Sequence, residues 1–282
     1  MIISDSPDNR TAPIQMRVVI AATIILAGGL WLIQLQGWHQ ARLYGVGVAM
    51  GLVLYHAAFG FTGAWRQMLV HRQTTGVEAQ LLMLAVATLI FAPALANGEL
   101  WGTPVSGAVA PIGIQVAVGA FLFGLGMQLG GGCGSGTLFT VGGGSTRMVL
   151  TLVTFCAGSF WASLDMQWRV NTPRLPGIAL GDIWGWPLAA LAQLAVLGVL
   201  FLMLKRWRRP VRVSDHGPFS WHSLYQGPWL LGWGAVALAL LNWITLGLSG
   251  HPWTITWAFT LWGAKAATFA GWTLSNTWFW TG

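Results

Sequence analysis

Two stretches of this chain, Leu100–Thr146 and His216–Ala264, contain no Asp, Glu, Lys or Arg. Shorter charge-free runs cover Val18–Ala41, Leu43–Trp65, Ala79–Gly98, Met148–Leu164, Ile183–Leu204 and Ala266–Gly282. A soluble domain usually has about a quarter of its residues charged. This chain has 7% and could not cover a water-facing surface. Its natural solvent is lipid. The 19 tryptophans fit the membrane–water boundary, where amphipathic indole rings collect, and the 38 glycines fit close approach of lipid-embedded helices.

A spanning helix needs about 20 mostly apolar residues. Eight segments of that kind lie at roughly 18–36, 43–61, 77–96, 110–129, 146–164, 186–205, 228–249 and 254–274. The two longest runs are divided by Gly and Pro near Gly130–Ser145 and Gly250–Pro252. The expected fold is therefore an all-α integral membrane protein with about eight hydrophobic helices and Gly-rich broken or re-entrant segments. Residues 1–17 form a cytoplasmic tail and 18–282 a single polytopic membrane domain. Asp5 and Asp8 make the N-terminus unlike a signal peptide, so the first apolar run is expected to stay as a span.

The net charge of +7 would suggest nucleic acid in a soluble protein. Here the basic residues lie mainly between apolar runs and read as topology. Lys205, Arg206, Arg208, Arg209 and Arg212 mark the loop 205–227 as cytoplasmic. Counting spans backwards puts Arg147, Arg66, Arg72 and the N-terminus on the same side, and an even number of spans returns the C-terminus there. Arg42, Arg169 and Arg174 fall outside, so the rule is obeyed imperfectly. The loop 165–185, with Trp168 and Trp184, is expected along the interface.

The densest glycine run, Gly124–Ser145, is too rich in Gly for a plain helix, each interior Gly costing about 1 kcal/mol relative to Ala. Broken backbone at membrane depth is tolerated where it is buried in protein or lines a cavity. Amides at a helix start, with the Ser135 and Thr137 hydroxyls near, suit an anion, and Cys133 places a polarizable sulfur among them. The alternative is that the glycines serve helix packing and Cys133 is a small buried hydrophobe. Cys133 and Cys156 make no CxxC pair and have no His at ligand spacing, so neither a metal nor another cofactor is expected. The run lacks the Lys of a phosphate-binding P-loop, and Cys133 has no evident base, which argues against an enzyme. A weak internal repeat sets Gly60-Phe61-Thr62-Gly63 under Cys133-Gly134-Ser135-Gly136 at a shift of 73 residues (133 − 60 = 73).

The run Gly-Met-Gln-Leu-Gly-Gly-Gly-Cys-Gly-Ser-Gly (126–136) resembles the central motif of the YeeE/YedE sulfur-transport family of bacterial inner-membrane proteins. Leu54–Gln67, the run Gln80–Thr88 that follows, and Phe259–Lys265 resemble further parts of it. The resemblance implies a permease for a small inorganic sulfur or selenium anion, embedded in membrane lipid, with cysteine thiols along the path. By residue match that role falls on Cys133, with Gly132, Gly134, Ser135, Gly136 and Gln128 around it and Gly60, Thr62 and Gly63 at the first motif. Thiosulfate-type members have cysteine where this chain has Gly60, which leans toward the YedE branch. The family's C-terminal Gly-Cys motif is absent, so a second chain or second copy is expected to complete the pathway.

Lys265, within the last apolar segment, is a candidate attractor for the anion or a side chain snorkelling to the interface. His56 reads as a buried, hydrogen-bonded histidine, Cys156 as packing, and Glu78 as half of an ion pair. The competing function is a non-transporting membrane subunit that recruits a soluble sulfur-carrier protein through the loop 205–227. A membrane enzyme is the third reading.

Overall fold

A computed structural model of the protein describes residues 12–166, 171–209, 228–274 and 278–281. The tail before residue 12 and the basic loop after Arg209 lie outside the described residues, as does Trp168. The chain divides into two compact units, Met1–Ala49 and Met50–Gly282.

The helix α1 (Ala12–Ala57), which begins in the first unit and runs into the second, is interrupted at Gly37, whose φ of 78° and ψ of 178° are not helical. A continuous helix would hold residues 28 and 44 about 24 Å apart. Instead the Tyr44 ring lies against Gly28 and Gly29, so a Cβ on Gly28 would sit 2.9 Å from Tyr44 Oη. Gly37 thus turns the chain back on itself. The two spans expected at 18–36 and 43–61 become the arms of this hairpin, with the second ending at Ala57.

The second unit is built on helices that are apolar over most of their surface, as expected for segments solvated by lipid. They are α2 (Phe61–His71), α3 (Thr75–Asn97), α4 (Ile114–Gly130), α5 (Gly134–Gly142) and α6 (Thr146–Leu164). After them come α7 (Leu180–Trp184), α8 (Trp186–Trp207), α9 (Leu231–Ser249), α10 (Ile255–Phe269) and α11 (Trp278–Thr281). Among the described residues, six helical stretches are long and apolar enough to cross a membrane. The all-α membrane fold expected from the charge-free runs is the one observed. Among the described residues, sheet is limited to two-residue ribbons: β1 (Glu99–Leu100) pairs with β2 (Thr103–Pro104), and β3 (Ile112–Gly113) with β4 (Arg174–Leu175), both antiparallel.

Helices α8 and α9 pack on α3, whereas α10 packs on α6. Small residues set the closest approaches. A Cβ on Gly263 of α10 would lie 2.6 Å from the Cys156 carbonyl oxygen and 2.6 Å from Phe160 Cβ of α6.

The turns meet in matched sets. Glu78, for which sequence names no partner, sits 3.8 Å from Arg208 and accepts a 2.6 Å hydrogen bond from the Thr74 hydroxyl. The Arg209 amide donates to the Arg72 carbonyl at 3.3 Å, and the Arg72 guanidinium lies 5.6 Å from the Trp207 ring centre. The ends of α2 and α8 are therefore neighbours, consistent with the same-side assignment of their basic residues. At the opposite ends of α3 and α9, the Ser106 amide donates to the Gly250 carbonyl at 2.9 Å.

Candidate functional site

Two of the apolar stretches are broken, and the breaks are built alike. At the second break α4 ends at Gly130, and Gly131 takes the left-handed conformation at φ 79°, its amide donating to the Met127 carbonyl. Glycine suits this position because it has no Cβ to clash with the following carbonyl. Cys133 is extended and caps α5: the Gly136 amide donates to Sγ at 3.4 Å, and the Ser135 hydroxyl lies 3.5 Å from Sγ. The Thr137 amide donates to the Cys133 carbonyl at 2.8 Å. The amides of Gly134 and Ser135, in the first turn, have no intrahelical acceptor. Thr137 is fully buried, and its hydroxyl has no hydrogen-bond partner among the described residues. Its Oγ1 would lie 3.1 Å from a Cβ on Gly132. Phe259 and Ile255 of α10 close over Gly134, at 3.2 and 3.3 Å from where its Cβ would be.

The first break repeats this plan 73 residues earlier. Helix α1 ends at Ala57 and α4 at Gly130 (130 − 57 = 73), while α2 starts at Phe61 and α5 at Gly134 (134 − 61 = 73). The left-handed residue is Ala58, at φ 45°, in the place of Gly131. The N-cap is Gly60 in the place of Cys133, and its carbonyl accepts from Ala64 as that of Cys133 accepts from Thr137. The weak repeat read from sequence is thus a repeat of structure up to the half-helices. The following long helices start 71 residues apart (146 − 75 = 71), because α5, at 9 residues, is two shorter than α2, at 11.

Three of the last four carbonyls of α1 are taken near the break. The Phe59 amide returns to the Leu54 carbonyl and the Ala58 amide to that of Tyr55, while the Trp229 amide takes the carbonyl of His56. The first two bonds form a Schellman cap, in which glycine is the usual left-handed residue. Alanine in that conformation costs roughly 1–2 kcal/mol. Ala58→Gly is therefore expected to stabilise the protein by about 1 kcal/mol, read as a higher thermal midpoint in detergent.

Each break adjoins a cavity. One of about 280 Å³ runs from Gly60 along α2, past Gly63, Ala64 and Gln67, to Gln73, Thr75, Gly76 and Gln80 at the start of α3. Another, of about 430 Å³, lies between α4 and α6, with Gly130, Gly132, Thr151 and Thr154 among its lining.

The structure gathers Gly132, Cys133, Gly134, Ser135 and Gly136 in one turn, and Gly60, Thr62 and Gly63 in its counterpart. Thr62 is buried, and its hydroxyl has no partner among the described residues. Gln128 is exposed on α4, short of the break, and Lys265 is exposed on α10. Lys265 follows Phe259 by six residues, about 9 Å of helical rise. Sequence reasoning gave no role to Gln80, although a glutamine inside an apolar span is itself a signal. Gln80 is 7% exposed and accepts a 3.1 Å hydrogen bond from Trp65 Nε1. Among the described residues no group of His, Cys, Asp and Glu could hold a metal ion.

Residues 56–282 match the family described as Sulphur transport, and both breaks fall inside the match. The chain belongs to this sulfur-transport family. The thiosulfate transporter TsuA of Escherichia coli is 29% identical over 175 residues, which cover 57% of this chain and 46% of that protein. The thiosulfate transporter TsuA of Spirochaeta thermophila is 28% identical over 116 residues, covering 41% of this chain and 34% of that protein. The matched stretches thus span less than half of either relative. The resemblance read from the Gly124–Ser145 region agrees with these findings, and the chain is a multi-pass membrane protein of a transport family. At both half-helix starts the first-turn amides have no acceptor within the helix.

Proposed function

We propose that this chain moves a small sulfur-containing anion, thiosulfate-like or its selenium counterpart, across the bacterial inner membrane along a path that passes the two breaks. The observation that carries this reading is the start of α5, where Cys133 Sγ, the Ser135 hydroxyl and the first-turn amides converge beside the partnerless hydroxyl of Thr137. A helix N-terminus favours an anion by roughly 0.3–2 kcal/mol. A transported ion must be held strongly enough to enter and weakly enough to leave. The thiol adds one weak donor and a soft contact suited to sulfur or selenium. Gly136 keeps a Cβ from standing 3.2 Å from Sγ, and Lys265 would act as an attractor at a distance. The names of the relatives support thiosulfate as the first substrate to test.

The purified protein in proteoliposomes is expected to accumulate radiolabelled thiosulfate above empty liposomes, with selenite and selenate as competitors. No uptake of any sulfur or selenium oxyanion under an imposed ion gradient would end the transport reading. Sulfur chemistry on the same compounds without movement would favour an enzyme.

Orientation is a separate prediction. Both termini and the loop 205–227 are expected in the cytoplasm, so Arg209→Cys should react with a membrane-impermeant maleimide only after cells are opened. Labelling from outside intact cells would reverse the topology.

A further inference from the structure

We infer that the cavity at the first break is a charge-neutral station for a tetrahedral oxyanion, gripped through its oxygens by the Gln80 side-chain amide and the free amides at the start of α2. This deepens the transport reading and rests on it only for the direction of flow, since binding at the station needs no transport.

The argument starts from a donor whose direction is fixed. The Trp65 indole N–H can only donate, so the Gln80 atom facing it at 3.1 Å must be the carbonyl oxygen. The Gln80 NH₂ group then points the other way, and it makes no hydrogen bond among the described residues. The side chain is 7% exposed and lines the cavity. The Gln80 side chain thus spends its acceptor on Trp65 and keeps its two donors for whatever the cavity holds.

The remaining lining has the same bias. Helix α2 is 11 residues long and begins at the cavity, so the amides of Phe61, Thr62 and Gly63 have no acceptor within the helix. Gly60, Gly63, Ala64 and Gln67 fall at helical spacing on one face, which lets a ligand reach the backbone. Gln67 and Gln73 add two more primary amides. Among the described residues, Asp, Glu, Lys, Arg, Cys and Met are missing from the lining. The site therefore offers hydrogen-bond donors to oxygen and nothing soft to sulfur. It is the chemical complement of the Cys133 turn, which holds the sulfur contact. In a thiosulfate-like ion the two breaks would read opposite ends of the molecule, and a fully oxygenated ion such as sulfate should still bind at the first.

The test measures equilibrium binding of sulfate and selenate to the detergent-solubilised full chain by calorimetry, with no transport step. Sulfate is expected to bind the wild type. Gln80→Glu keeps the shape but replaces the donors by acceptors and should weaken sulfate binding at least tenfold. Gly63→Leu provides a second variant that does not depend on Gln80. A Cβ at Gly63 meets nothing within 4 Å, so the helix accepts it, and the longer side chain fills the cavity. It should weaken sulfate binding to a similar extent. Trp65→Phe, which frees the Gln80 amide to rotate, should weaken it several-fold, while Cys156→Ala should not change it. Thermal midpoints close to wild type show that each variant is folded. Wild-type affinity retained in both Gln80→Glu and Gly63→Leu overturns the station, as does failure of the folded wild type to bind sulfate. Loss of sulfate binding in Cys133→Ala, with retention in Gln80→Glu, overturns it by moving the only site to the second break. A protein that binds sulfate as described but transports no anion would separate failure of the transport reading from failure of this one.

Discussion

Replacing Cys133 with alanine is expected to remove most anion uptake while leaving the protein folded and inserted. The thiol is half-buried, and its contacts lie within its own turn: the Gly136 amide and the Ser135 hydroxyl. Removing it costs α5 its cap acceptor, worth about 1 kcal/mol, which a helix held against α6 can absorb. For the anion the loss is larger in effect. A contact worth about 1.4 kcal/mol at the controlling step is a factor of ten in rate. Cys133→Ser keeps a donor and a capping oxygen but loses polarizability, so its uptake should fall between the two or match alanine. Cys156→Ala should be nearly silent, and this separates a site effect from general loss of thiols. Initial uptake rates in proteoliposomes, normalised to folded protein, decide the matter. Normal uptake by Cys133→Ala would return the glycine run to a packing role.

The second large effect is structural. Gly263→Val is expected to destabilise the contact of α10 with α6 by about 2 kcal/mol or more. The added carbon would stand 2.6 Å from a backbone carbonyl oxygen, that of Cys156, as well as from Phe160 Cβ. A side chain can rotate away, whereas a carbonyl in the middle of a helix moves only with the helix. The displacement would carry Phe259 away from Gly134 and open the second break. Thermal unfolding in detergent should show an early transition, and the Cys133 thiol should react faster with a maleimide. An unchanged midpoint would mean that the α6–α10 contact gives way more easily than its geometry implies. Gly263→Ala, one methyl group, should fall between wild type and valine.

The two breaks differ in how far they could be read from sequence. The second is written in composition: the run from Gly124 to Ser145 has too many glycines to stay helical, and Gly131 takes the left-handed position that glycine favours. The first is hidden. Residues 43–61 are as apolar as any single span, and periodicity does not register an interruption of three residues. Its left-handed residue is alanine, which carries no such signal.

Lipid as solvent, helix as the only affordable backbone, and the places where charge must sit all follow from the sequence, because an unpaired peptide group in hydrocarbon is too costly to leave exposed. Family membership also lies in its motifs, and the match over residues 56–282 agrees with them. Tertiary structure decided where the first helix stops. The Trp229 amide takes the carbonyl of His56, Ala57 and Phe59 pack with Ala79 and Ala235, and Gly234 leaves room for the Ala57 methyl group. Those partners lie far along the chain, and local preference for helix yields to them because they satisfy the carbonyls that the break exposes. The same long-range contacts set Trp65 against Gln80 and so fix which way a buried amide points, a fact of hydrogen-bond direction that no spacing of residues contains.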